Sequence, residues 1–248
     1  MTDGQSSSKI VHIATFKGGI NMIYLEDEEI ENALFENREE ALVPIEITER
    51  NGEIEIITFE KTEKIAHEFE EKFIKSPFSR EATEFLDSKL RNLASQWGYF
   101  VDDLNEGHIL TFVCDKVNET LILPNTKMIK SANGYENLTE YEFEPLPENG
   151  EECYFVVLEG NKIVSVCEMN TDGVFCGATE INVYTNPLYR GKGYGSSCVS
   201  AMSDYLLKRD KKVAYTVQKD NLASISLAQK CGFVKIAQTY FYICYRND

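Results

Sequence analysis

The chain has 248 residues, 43% of them hydrophobic and 27% charged, proportions of a soluble globular protein with room for one large or two ordinary domains. Its net charge of −16 is unevenly placed: the first 150 residues carry 14 Lys+Arg against 31 Asp+Glu, hence −17, and residues 151–248 carry 11 against 10, hence +1. That balance speaks against a nucleic-acid footprint, which would be basic, and no apolar run approaches the ~18 residues of a membrane span.

In chain order, the first nine residues, MTDGQSSSK, read as a disordered tail. Residues 10–15 and 20–25 read as short strands about a Gly18-Gly19 turn, and an acidic helical stretch follows over 27–37. A hairpin is predicted over 44–59, because IEIT and EIEIITF flank Asn51-Gly52, residues that tolerate the positive φ of a type I′ turn. Helices are predicted over 61–75 and 79–97; in the second, Ala82, Phe85, Leu86, Leu90 and Leu93 recur at helical spacing and mark a buried face. Strands at 109–114 and 120–123 follow. The segment 131–150, SANGYENLTEYEFEPLPENG, has the composition of a boundary between an α+β N-terminal domain, 1–130, and a second domain, 131–248.

His12, His67 and His108 lie far apart in the first part without metal-ligand spacing, so no metal is expected, and Trp97 reads as a core residue. The seven cysteines form no C-x-x-C pair, and several sit in apolar runs such as Val164 to Cys167. They read as reduced core residues of a cytoplasmic protein. Without a signal peptide in the sequence, the sequons at Asn118 and Asn137 read as coincidence. The acidic first half fits either a solvated surface or a cationic substrate.

From Cys153 onward the pattern gives strands at 154–158, 162–169 and 179–185, joined by turns at Gly160-Asn161 and Asp172-Gly173. A helix follows over 196–208, with Cys198, Val199, Met202, Tyr205 and Leu206 on its inner face. Then come a β-branched strand at 213–217, a helix capped by Asn221 and ended at Cys231-Gly232, and a last strand over 236–245 that closes the sheet.

The chemistry concentrates between the 179–185 strand and the helix after it, in Arg190-Gly191-Lys192-Gly193-Tyr194-Gly195. A helix N-terminus presents unpaired amides and the positive end of the helix dipole, glycines let an anion approach, and Arg190 and Lys192 add charge. The loop is therefore read as a phosphate site. A dinucleotide fingerprint would need glycine at Ser196, and a Walker A loop is absent. Val183 to Gly195 spells V-x-x-x-x-x-x-R-x-x-G-x-G, and Asn221 to Phe233 is NLASISLAQKCGF. With the order of elements around them, these stretches resemble the GNAT superfamily of N-acetyltransferases over about residues 150–248.

That resemblance implies an α/β (α+β) fold with a mixed, mostly antiparallel central sheet flanked by helices, preceded here by the smaller N-terminal domain. It implies acetyl-CoA as cosubstrate. Val183, Tyr184 and Thr185 would pair with the pantetheine arm on a splayed strand edge. Arg190, Gly191, Lys192, Gly193, Tyr194 and Gly195 would hold the pyrophosphate, and Asn221 and Ser224 would reach the coenzyme from the second helix. Asn221 reads equally as a plain N-cap. Glu180 matches the family's general-base position, where an exposed strand glutamate is the competing reading, and the amide near Val183 would serve the oxyanion. Where many members carry a tyrosine general acid, this chain has Ala228, so Tyr240 or Tyr242 on the last strand, or water, would protonate the thiolate. The helical pair that shapes the acceptor pocket in the family is also missing from 131–153, leaving that wall to the N-terminal domain. The implied activity is direct acetyl transfer to a primary amine of a small molecule or peptide. The alternatives are a catalytically weak acetyl-CoA-binding regulatory or structural protein and a glycine loop serving another phosphorylated ligand. A homodimer is compatible with the sequence.

Overall fold

A computed structural model describes residues 9–16, 19–25, 41–96, 99–146, 150–175 and 177–246, with side chains over 43–96, 107–146, 150–170 and 177–243. The predicted tail up to residue 8, the turn at Gly18, the helix at 27–37 and Trp97 lie outside the described residues. Contacts divide the chain into two compact units, residues 1–109 with 237–248, and residues 110–236. The compositional boundary at 130/131 lies inside the second unit.

The first unit contains β1 (Lys9–Phe16), β2 (Gly19–Leu25), β3 (Ala41–Leu42), β4 (Ile45–Arg50) and β5 (Glu53–Thr58). Asn51 and Gly52 both adopt positive φ, 54° and 81°, which gives the right twist to the β4–β5 hairpin with Arg50 opposite Glu53. Two helices follow, α1 (Glu63–Phe73) and α2 (Arg80–Gln96). The predicted face of α2 is buried at Ala82, Leu86 and Leu90, with Phe85 and Leu93 partly buried, and it shares one core with Ile45, Ile47, Ile56 and Phe69. The backbone then enters β6 (Tyr99–Cys114), along which the division between units falls.

The second unit continues through a 3-10 turn at Glu119–Leu121 instead of the strand expected at 120–123. The Asn118 side chain accepts from the Thr120 hydroxyl at 2.7 Å and its carbonyl from the Leu121 amide at 3.2 Å, a local turn that outcompetes strand pairing. Next come β7 (Thr126–Ile129), β8 (Glu136–Asn137), β9 (Tyr154–Glu159), β10 (Lys162–Phe175) and β11 (Ala178–Thr185). They lead into α3 (Tyr194–Leu207), β12 (Lys212–Gln218), α4 (Leu222–Cys231) and β13 (Val234–Arg246). Neighbours β7, β9, β10 and β11 pair antiparallel, and β11 pairs with β12 in parallel. This is the predicted order of three antiparallel strands, helix, parallel strand, helix.

One face of this sheet meets α3 and α4 through Val157, Ile181, Cys198, Met202, Val213 and Phe233. The other face, around Val156, Ile163 and Val166, is covered by Ala132, Tyr135, Tyr141, Phe143 and Leu146. The segment read as a boundary is thus an arm packed on the sheet. Its β8 pairs with Lys162 and Ile163, and Asn186 donates to the Leu138 carbonyl. The last strand behaves differently from expectation as well. From Ala237 it belongs to the first unit, where Ala237–Phe241 pair with Arg50–Glu46 of β4. Among the described residues no helix is long and apolar enough to cross a membrane.

Candidate functional site

The glycine loop enters α3 with Gly193 as N-cap at φ 83°, and Gly191 is also left-handed at φ 78°. An L-residue there would be strained by about 1–2 kcal/mol. No side chain caps the helix, so the amides of its first turn are left for a ligand. Gly195 has a different job. A Cβ at that position would lie 3.1 Å from both Leu227 Cδ1 and Thr185 Oγ1, so its missing side chain lets α3 lie against β11 and α4. Arg190 donates from Nε to the Thr185 carbonyl at 3.2 Å, tying the loop to the end of β11. The Tyr194 hydroxyl donates to Glu159, a bond that raises the tyrosine's pKa because the carboxylate favours the protonated phenol.

Beside the loop the sheet opens. Pairing between β11 and β12 covers only Ala178, Thr179 and Glu180, opposite Lys212, Val213 and Ala214. Val183, Tyr184 and Thr185 pair with β10 on one side only, which leaves the other edge of β11 available for an added strand. A cleft of about 490 Å³ occupies this opening. Of the residues expected to hold the coenzyme, Val183, Tyr184 and Thr185 line it from β11. From the loop come Arg190, Gly191, Gly193, Tyr194 and Gly195, and from α4 Asn221 and Ser224. Lys192 does not line it; its Nζ lies over the Tyr189 ring at 4.7 Å and the Tyr194 ring at 5.9 Å, a cation–π arrangement.

The cleft also takes in residues the sequence reading passed over. Ala223, Ser226, Leu227 and Lys230 line it from α4. They follow i, i+3, i+4 and i+7 from Ala223, one face of the helix, and that spacing is the signal that could have found them. Ser196 joins from the first turn of α3, and Glu140 from the arm. Arg190 and Lys230 place positive charge along the cleft, against the single carboxylate of Glu140.

Asn221 is an N-cap, its Oδ1 accepting from the Ser224 amide at 3.1 Å, and it lines the cleft as well. Glu180 is half-buried on β11, three residues before Val183, and is not part of the cleft lining. The Thr216 hydroxyl donates to its Oε1, and Asn170 Nδ2 donates to Oε2 at 3.4 Å. Tyr240 is placed elsewhere. It is 1% exposed in the core of the first unit, against Tyr242 at 5.9 Å and His108 at 5.7 Å, and is not among the cleft residues. Tyr242 shares that core and donates to Asp87. Ala228 is wholly buried on the inner face of α4, so that position presents no hydroxyl.

Residues 123–233 match the family model described as acetyltransferase (GNAT) family. Among solved structures, the chain is similar to a putative GNAT-family acetyltransferase from Novosphingobium aromaticivorans, at 16% identity over 61% of this chain and 69% of that one, with a TM-score of 0.47. A GCN5-related N-acetyltransferase-like protein from Streptococcus suis aligns over 96% of this chain and 90% of its own at 13% identity and a TM-score of 0.42. A putative acetyltransferase from Salmonella typhimurium, solved with its cofactor acetyl-CoA, aligns over 39% of this chain and 66% of its own at 20% identity and a TM-score of 0.31. No curated protein matches the sequence.

Proposed function

We propose, from the match of residues 123–233 to the acetyltransferase (GNAT) family model, that the chain transfers acetyl from acetyl-CoA to a primary amine of a small molecule or peptide. The observation that carries the reading is the cleft itself. A strand edge left unpaired after Glu180 runs directly into a glycine-capped helix N-terminus, with Arg190 and Lys230 beside it. Such a surface takes an amide-bearing chain at one end and a pyrophosphate at the other. When bound, acetyl-CoA supplies an activated acetyl group; the chain's residues orient it and manage the proton.

In this reading the edge of Val183–Thr185 pairs with the pantetheine amides, and the first-turn amides of α3 hold the pyrophosphate. Glu180, fixed by Thr216 and Asn170, accepts the proton that the amine must lose, directly or through water. As the nitrogen–carbon bond forms and the carbon–sulfur bond breaks, that proton's counterpart ends on the sulfur. With Ala228 buried and Tyr240 in the core of the first unit, water or a residue of the cleft returns it.

The test is amine-dependent thiol release from acetyl-CoA across a panel of primary amines, with Glu180→Gln as the variant. The reading expects release that Glu180→Gln lowers by about 10²-fold or more, the contribution of a positioned base. A second reading, an acetyl-CoA-binding regulatory protein with a weak site, is favoured by the buried Ala228 alone. It expects tight binding of acetyl-CoA and no amine-dependent release.

A further inference from the structure

The sheet face that carries Glu180 also carries Asn182 and Tyr184, with Asn170, Glu168 and Val166 opposite them on β10. Glu168 is opposite Asn182, so it and Glu180 are diagonal neighbours on one face, about 7–8 Å apart at the backbone. The arm closes this corner. Tyr141 donates its hydroxyl to Glu168 Oε2, and its ring lies 5.4 Å from that of Tyr184, which lines the cleft. Burial and the carboxylate both raise the Tyr141 pKa, so it remains a neutral donor. Glu168 Oε1 has no hydrogen-bond partner among the described residues.

The position of Tyr141 is built rather than incidental. Its ring packs against Phe143 at 4.9 Å and Tyr154 at 5.6 Å, and its carbonyl accepts from Asn137 Nδ2 at 2.8 Å. The arm is pinned in turn by the β8–β10 pairing and by Asn186. What results is a half-buried carboxylate with one oxygen bonded to Tyr141 and the other without a partner among the described residues, beside two tyrosine rings and one diagonal step from the proposed base.

Resting on the acetyl-transfer reading above, we infer that the acceptor is a short diamine or a molecule with the same spacing of charges. Its second ammonium is held by Glu168 Oε1 and the faces of Tyr141 and Tyr184, while the amine to be acetylated lies at Glu180. Carboxylate and aromatic faces together suit an ammonium, which needs both charge and partial desolvation. Two nitrogens separated by four or five methylenes approach the length of the diagonal step. Glu168 is then the residue that selects for a second positive charge, and Tyr141 is a positioning residue that fixes its carboxylate.

The test compares butane-1,4-diamine with butylamine, which differ by one charge at nearly equal length, in steady-state thiol release from acetyl-CoA. The diamine is expected to exceed the monoamine in kcat/KM by at least tenfold, mostly through KM. Glu168→Gln brings that ratio near one, and Tyr141→Phe, which keeps the ring in its packing, lowers it several-fold. Equal efficiency of the two amines, or a ratio that survives Glu168→Gln, overturns the inference while leaving acetyl transfer standing. If neither amine is turned over, calorimetry with butane-1,4-diamine separates the two claims. Diamine binding lost in Glu168→Gln upholds recognition, absence of diamine binding overturns the inference, and in both cases the wider amine panel decides acetyl transfer.

Discussion

Glu180 and Ala214 form the last rung of the parallel ladder between β11 and β12. The rung does two things at once. Up to it the strands are locked, which fixes the carboxylate of Glu180 between Asn170 and Thr216. Beyond it β11 continues to Thr185 without β12, and the cleft begins at Val183. The proposed base therefore stands at the inner end of the opening.

Gly195 sets how closely the loop helix meets that edge. Its missing Cβ leaves room for Leu227 Cδ1 and Thr185 Oγ1, each 3.1 Å from where the Cβ would stand. Gly195→Val is expected to destabilise by about 1–3 kcal/mol through overpacking and to weaken acetyl-CoA binding about tenfold, an order-of-magnitude figure on that same basis. A thermal melt and a coenzyme titration on the same preparation check both effects. Unchanged affinity in a destabilised variant would separate packing at Gly195 from the cleft.

Asn221 caps α4 and lines the cleft, and the two roles come apart by substitution. Asn221→Ser keeps an oxygen for the Ser224 amide, whereas Asn221→Ala removes the cap at a cost of about 1 kcal/mol, or roughly 2–4 °C in Tm. If Asn221 also contacts the coenzyme, Asn221→Ser retains stability but loses affinity. If it only caps, affinity follows stability in both variants.

The pH response of stability has separate alkaline and acid limbs. Burial pushes the Cys198 thiol from 9.0 up to about 12 and the Cys114 thiol up to about 11. Between those values the unfolded chain has released protons that the folded chain still holds, so stability is intact below pH 9 and falls as pH rises toward 11–12, with a slope of up to about 1.4 kcal/mol per unit for each thiol. Cys198→Ala should flatten that fall in denaturant titrations between pH 8 and 11. A fall of the same slope in Cys198→Ala would assign it to other groups.

On the acid side, the hydrogen bond from Arg91, joined by that from Tyr242, holds the Asp87 carboxyl below its usual value of 3.8. A depressed folded pKa contributes stability above the unfolded value, and that contribution is lost as pH falls through the folded one. Arg91→Ala should therefore lose less stability than the wild type on going from pH 5 to pH 2.5. An identical loss in both would remove Asp87 from the acid limb.

Much of the cleft was legible because its parts are local in sequence. Glycines at 191 and 193, a following helix and a short β11 are readable from spacing, and ten of the eleven expected coenzyme positions line the cleft. Lys192 is the exception, since its stacking on Tyr189 depends on a ring position that spacing does not reveal. Long-range partners were the harder part. The last strand reads as an alternating apolar run in any sheet, and only the tertiary pairing of Ala237–Phe241 with β4 places Tyr240 in the core of the first unit. The arm at 131–146 looked like a linker because its Gly, Pro and Asn residues form turns, yet Tyr135, Tyr141, Phe143 and Leu146 carry enough apolar surface to cover a sheet face.

The measurement that bears most directly on the account is a calorimetric titration of acetyl-CoA into the wild-type chain and into Gly193→Glu, with NAD as comparator. Gly193 is the left-handed N-cap of α3, and glutamate there adds both backbone strain and a negative charge where the pyrophosphate would lie. The account predicts one-to-one binding of acetyl-CoA to the wild type, loss of at least a hundredfold in the variant while its thermal melt remains cooperative, and no competition by NAD. No binding to the wild type, or equal binding to both proteins, would contradict it.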